Sequence, residues 1–269
     1  MIAKRVKIVV LIVFLMMMSS CKKTSLVHGN GLFSWQDVFA KEKAQELFVF
    51  MNRYDLHELY QYISEDVDEK TIEDFVSLAN EYNIAVYQLL GERKWGLDPE
   101  GEELKKAIRK LDGLKGVVVD VETYLLDEWD EEVFASYYRA MKAAKKKTKT
   151  YGYEMILCIP YYLDDYPYLN LLVKECCDTL AVMNYYRKNE ALHIKNEADL
   201  CKKYHKRLIN IYEFQKAGVF SLQEINTYHE EGYEAMMNSF KQLNEVYNNI
   251  DMNFAWHDYK AVYEVIGHE

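Results

Sequence analysis

Asp120 and Glu122 stand two residues apart at the end of the run Gly116-Val117-Val118-Val119-Asp120-Val121-Glu122. Side chains two apart in a β-strand share a face. Val117, Val119 and Val121 therefore make one apolar face, and Val118, Asp120 and Glu122 make the other. Two carboxylates on one face repel each other, and the repulsion raises the pKa of one of them. The result is a protonated acid beside a carboxylate near neutral pH, which is the pairing that cleavage of a glycosidic bond requires. A structural pair satisfied by Arg or Tyr donors is the alternative. Glu213, at the end of the run 207–213, supplies a third carboxylate. Facing Glu122, it would open a double-displacement chemistry. Facing away, it would pair with Arg187 or Arg93.

Around these acids, aromatic and polar residues cluster at the ends of β-rich runs: Trp35, Tyr62, Glu92, Trp95, Tyr124, Tyr161, Tyr185, Arg187, Trp256 and His257. With 23 tyrosines in the chain, such a rim suits a groove that stacks against sugar rings. Other chemistries lack their signatures. There is no Gly-rich phosphate loop or dinucleotide fingerprint, no G-x-S-x-G, no HExxH and no CxxC. We therefore expect neither cofactor nor metal, and buried thiols at Cys158, Cys176, Cys177 and Cys201.

The elements that would hold the rim in place emerge from alternation. Strand-like runs at 31–35, 56–63, 84–90, 116–122, 153–159, 178–184, 207–213 and 252–257 are each followed by a segment of helical period. The helices fall at about 37–52, 70–82, 98–112, 131–148, 165–176, 194–204, 227–248 and 258–266. Asp98-Pro99 and Asp130 mark two helix starts. Leu47 to Met51 has the composition of a strand, but Ala40, Ala44, Leu47, Phe48 and Met51 keep helical spacing. Eight such units predict an α/β fold, a (β/α)₈ TIM barrel, whose active sites lie at the carboxyl ends of the strands. An open doubly wound sheet is the alternative architecture.

Asp120-x-Glu122 on strand four, Met183-Asn184-Tyr185 on strand six and Ala255-Trp256 on strand eight resemble the family 18, chitinase-like glycoside hydrolases. A broader set of related bacterial barrels is also similar, through Tyr185 to Arg187, Tyr228 to Gly232 and His257 to Tyr259. The family resemblance implies Glu122 as proton donor and Asp120 as the residue that orients a substrate 2-acetamido group. It implies that Tyr185 bonds the same group and that Trp256 floors the sugar. Where the family carries further acids, this chain has Lys115, Val118 and Tyr186. A catalytically inactive, glycan-binding barrel is therefore the second reading.

The amino end predicts the location. Lys4, Arg5 and Lys7 precede an apolar run from Ile8 to Met18, too short to span a bilayer and suited to a signal peptide. Met18-Ser19-Ser20-Cys21 resembles a lipoprotein lipobox, implying cleavage after residue 20 and lipidation of Cys21. We divide the chain into a leader (1–20), a tether (21–30) and one domain (31–269). The expected partners are a glycan and, through the lipid, a membrane. A net charge of −10 disfavours nucleic acid. Lys145-Lys146-Lys147 reads as a solvated helix face.

Overall fold

A computed structural model describes residues 28–267 apart from Glu128 and Tyr166. The leader, Cys21 and the tether up to residue 27 lie outside the described residues. Eight strands close a parallel barrel in sequence order: β1 Asn30–Ser34, β2 Leu56–Tyr62, β3 Ala85–Leu90, β4 Gly116–Val119, β5 Glu154–Pro160, β6 Thr179–Met183, β7 Arg207–Glu213 and β8 Met252–His257. The helices are α1 Lys41–Arg53, α2 Glu69–Glu81, α3 Glu102–Ala107, α4 Glu131–Tyr151, α5 Leu169–Glu175, α6 Glu190–His193, α7 Lys195–Tyr204, α8 Gly232–Val246 and α9 Tyr259–Ile266. The expected (β/α)₈ barrel is the fold found.

Local chemistry sets the helix starts. Asp68, Asp130 and Asp258 each accept a backbone N–H from the first turn of α2, α4 and α9, at 3.0, 2.8 and 3.0 Å. Leu47 to Met51 is helical, with Leu47, Phe48, Phe50 and Met51 buried. The third helix is shorter than expected. The helix starts only after Gly101, where Asp98 accepts the N–H of its first residue, Glu102, at 2.6 Å, and at its end the Gln88 side chain on β3 donates to the Ala107 carbonyl at 3.0 Å. Lys145 departs from expectation too: it is buried and ion-paired with Asp178.

Inside the barrel, the amino end is closed by an ionic floor. Arg207 of β7 forks onto Glu58 of β2 with two bonds of 2.8 Å, and Tyr60 donates to the same carboxylate at 2.7 Å. Thr179 and Tyr87 donate to Glu154 at 2.8 and 3.0 Å. His28, where the described chain begins, lies 3.3 Å from Glu58. Above this floor the Tyr60 ring lies so close to Gly31 that a Cβ there would fall 2.5 Å from its hydroxyl. The polar pairing thus occupies one end of the barrel and leaves the other open for a site.

Candidate active site

At the carboxyl end of the barrel lies a cavity of about 620 Å³ whose lining includes Asp120, Glu122 and Glu213. β4 ends three residues earlier than expected, at Val119, but the Asp120 N–H still donates to the Leu90 carbonyl of β3 at 2.7 Å. That bond fixes Asp120 just inside the mouth, buried, with Glu122 above it at 30% exposure. The chain then enters a 3₁₀ turn, Thr123–Leu125. Thr123 donates to the Arg93 carbonyl at 2.7 Å, tying together the loops after β3 and β4. In consequence the Arg93 guanidinium lies 3.7 Å from Glu122, which also accepts the Tyr124 hydroxyl at 3.3 Å.

Glu213 faces the mouth, which settles its orientation. It is buried, accepts the Gln215 N–H at 2.7 Å and lies 2.9 Å from Nδ1 of His257. It pairs with neither arginine. On the far side of the imidazole, the Trp35 indole N–H donates to Nε2 at 3.2 Å. Trp35, His257 and Glu213 therefore form a hydrogen-bonded chain linking β1, β8 and β7. The Tyr185 ring tilts over His257 at 6.2 Å.

Burial, and after it the charge of Glu122, pushes the Asp120 carboxyl up to about 7, while His257 pulls it down. Among the described residues Asp120 Oδ1 finds no hydrogen-bond partner. Burial works against charge on His257, but the Glu213 carboxylate, with help from Asp258 and Asp120, outweighs it and lifts the pKa to about 9. An indole can only donate, so the Trp35 bond belongs to the neutral ring protonated at Nδ1. Protonation at Nε2 breaks that bond and keeps the one to Glu213. Burial, then Glu213, holds the Tyr185 phenol well above its usual range, leaving it a donor.

The cavity brings together Trp35, Asp120, Glu122, Tyr124, Tyr161, Tyr185, Glu213 and His257 of the expected site. Tyr62 stands beside them at the rim, its ring 5.9 Å from Trp35. Four residues are placed otherwise. Trp256 does not floor the cavity: it is fully buried on the helix-facing side of β8, with the Tyr54, Tyr233, Phe214 and Phe254 rings within 5.5 to 5.8 Å. Strand parity sends its neighbour His257 inward instead. Arg187 binds the Glu224 carbonyl at 2.9 and 3.2 Å and pairs with Glu231, so it fastens the loop after β7. Glu92 is exposed and caps the 3₁₀ turn Arg93–Leu97 by accepting the Lys94 N–H. Trp95 lies half-buried in that turn, outside the lining.

The lining also holds Arg93 and Tyr162, which the sequence likewise places at strand ends, and residues absent from the expected site, among them Leu125, Phe220, Leu222 and Asp258. Phe220 had a legible signal, an apolar pair (Val219, Phe220) directly after Gly218 in a stretch without strand or helix period. Among the described residues no group of three or more His, Cys, Asp or Glu side chains could hold a metal ion.

No protein-family model matches the chain, and no curated protein matches it. Solved structures do. A xylanase-α-amylase inhibitor protein in complex with trehalose superposes with a TM-score of 0.57 at 9% identity, covering 89% of this chain and 98% of that chain. A GH5_18 protein of Bifidobacterium longum in complex with Manβ1-4GlcNAc gives 0.55 at 11%, covering 86% and 69%. An active-site mutant of a β-1,3-glucanosyltransferase of Rhizomucor miehei with laminaritriose gives 0.51 at 12%, covering 85% and 86%. At such identities the likeness is one of fold: this chain shares its barrel with carbohydrate-acting enzymes and with an inhibitor protein.

Proposed function

We propose that the chain is an extracytoplasmic, lipid-anchored glycoside hydrolase acting on a glycan that contains N-acetylhexosamine. The observation that carries this reading is the meeting of Asp120, Glu122 and Glu213 in one aromatic-walled cavity. Glu122, the more exposed of the strand-four pair, is the general acid, and the proton that Asp120 holds in the free protein passes to it when substrate binds. It gives its proton to the glycosidic oxygen as the bond to C1 breaks. Asp120 and the Tyr185 hydroxyl orient the substrate's 2-acetamido group, whose oxygen bonds to C1 in place of the leaving group. Water then opens that ring and returns a proton to Glu122. Trp35 and Tyr161 offer aromatic faces to the sugar. Barrels of this shape that hold oligosaccharides support the substrate class.

A glycan-binding barrel without turnover is the second reading, and a specific observation favours it. Glu122 is already held by Arg93 and Tyr124, and Glu213 by His257 and Gln215. Moreover, Val118 stands one layer below Asp120, where the resembling family carries an acid.

Hydrolysis of N-acetylglucosamine oligomers and peptidoglycan fragments by the purified chain, beside Glu122→Gln, separates the two. The enzymatic reading expects turnover that falls by about 10²-fold or more in the variant, the scale of general acid catalysis. Saturable binding with no turnover, equal in both proteins, would leave the binder.

A further inference from the structure

Apolar side chains in the lining of the cavity are concentrated on one side of the barrel. Charged and hydrogen-bonding groups come from the ends of β7, β8 and β1 and from the loops after β3 and β4: Glu213, His257, Trp35, Arg93, Asp120 and Glu122. The strand ends and loops from β4 to β7 contribute Leu125, Pro160, Tyr162, Met183, Phe220 and Leu222, an apolar arc interleaved with Tyr124, Tyr161, Tyr185, Gln215 and Asn226. Glu122 and Leu125 leave the same strand end, so the proposed acid sits at the border between the two arcs.

Three members of the apolar arc are held out in solvent. Leu125 and Tyr162 are each 45% exposed and Phe220 is 86% exposed. Phe220 is not there by slack in the chain. It and Ser221 both adopt positive φ, 47° and 63°, in the left-handed region that non-glycine residues avoid. The bonds Gly218 N–H to the Leu222 carbonyl at 2.8 Å, and Leu222 N–H to the Val219 carbonyl at 2.9 Å, hold that geometry. The polar side chain of Asn226 on this side is engaged, donating to the Tyr185 carbonyl and accepting the Gln223 N–H.

A sugar ring needs hydrogen-bonding partners for its hydroxyls and a flat face for its C–H edge. Leu125, Met183 and Leu222 supply neither. We propose that the apolar arc is the subsite for the leaving group of an amphiphilic glycoside, one whose aglycone is a hydrocarbon group. This rests on the glycosidase reading and adds to it the class of bond cleaved: a sugar joined to an apolar group, with Glu122 at the junction.

Calorimetric binding to the Glu122→Gln chain, which keeps ligands intact, tests this with three probes. They are methyl N-acetyl-β-glucosaminide, the octyl glycoside of the same sugar below its micelle concentration, and the N-acetylglucosamine tetramer. We expect octyl to bind at least about tenfold tighter than methyl, since each buried methylene adds to affinity. That advantage should fall several-fold in Phe220→Asn and in Leu125→Ser. Asn tolerates positive φ, so the first variant removes the ring and not the loop geometry. Equal binding of methyl and octyl glycosides, or an octyl advantage untouched by both variants, would overturn the subsite while leaving the glycan reading intact. Octyl binding that depends on Phe220, without binding of the methyl glycoside or tetramer, would keep the subsite and remove the sugar. No binding of any probe would remove both.

Discussion

Asp120 and Glu122 differ by one layer of barrel, and that layer decides which of them holds a proton. Their shared face was legible in the sequence, as was the rise in one pKa; which one rises depends on burial, which alternation does not reveal. Asp120, the deeper, is raised to about 7. A raised folded pKa means that the native state favours the protonated form. The stabilisation is complete below the ordinary carboxylate range and is lost as pH climbs through about 7. Asp120→Asn should therefore flatten the decline of Tm between pH 5 and 8, and be the more stable protein at pH 8, in thermal melts across that range. The scale is ~1.4 kcal/mol for each pKa unit removed. His257 behaves alike but later: its charged pairing with Glu213 stabilises below its ordinary pKa and fades as pH passes about 9. The Asn variant should leave that second decline in place. The exchange of Trp256 for His257 at the mouth is the same lesson in parity. Trp256 closed a familiar short motif, yet a single step along β8 turns one of the pair to the core and the other to the cavity.

At the scale of elements, the strands were readable because each is a short apolar run between breakers, and β7 and β8 begin and end where expected. The loops that complete the site were not. The segment expected to open a helix at 227 is instead bound to the end of β7. The Tyr228 N–H donates to the Glu213 carbonyl at 2.8 Å, and Thr227 to the same oxygen at 3.2 Å, delaying α8 to Gly232. Tertiary bonds outbid local helix propensity there. On the opposite side of the mouth, Gly96 lets the turn after β3 press on the turn after β4. A Cβ at position 96 would fall 2.1 Å from the Thr123 hydroxyl and 2.8 Å from the Tyr137 ring, both buried. Gly96→Ala should cost about 1–3 kcal/mol by overpacking, measured by urea unfolding. It should also weaken ligand binding, because the displaced turn carries Arg93 away from Glu122.

The whole molecule rests on contacts that no local pattern announces. Alternation of runs predicted a barrel; the ionic floor inside it joins Glu58 to Arg207 across 149 positions of sequence. Removing one partner strands the other charge in a dry interior. Arg207→Met should lower stability by about 3–5 kcal/mol in chemical denaturation, with the geometry of the mouth unchanged in whatever fraction stays folded. The floor also carries His28, so the polypeptide arrives at the base of the barrel, opposite the cavity. With a lipid on Cys21, as we propose, at most about 24 Å of chain separates that base from the bilayer surface, at ~3.5 Å per residue. The barrel would then stand on its base like a cup on a short stem, brim outward. Its reach would be to material on the outer side, and its own bilayer would lie behind it. Cys21→Ser should release the protein from the membrane fraction, and its soluble form should handle free glycans as before while losing its advantage on glycans held at the cell surface.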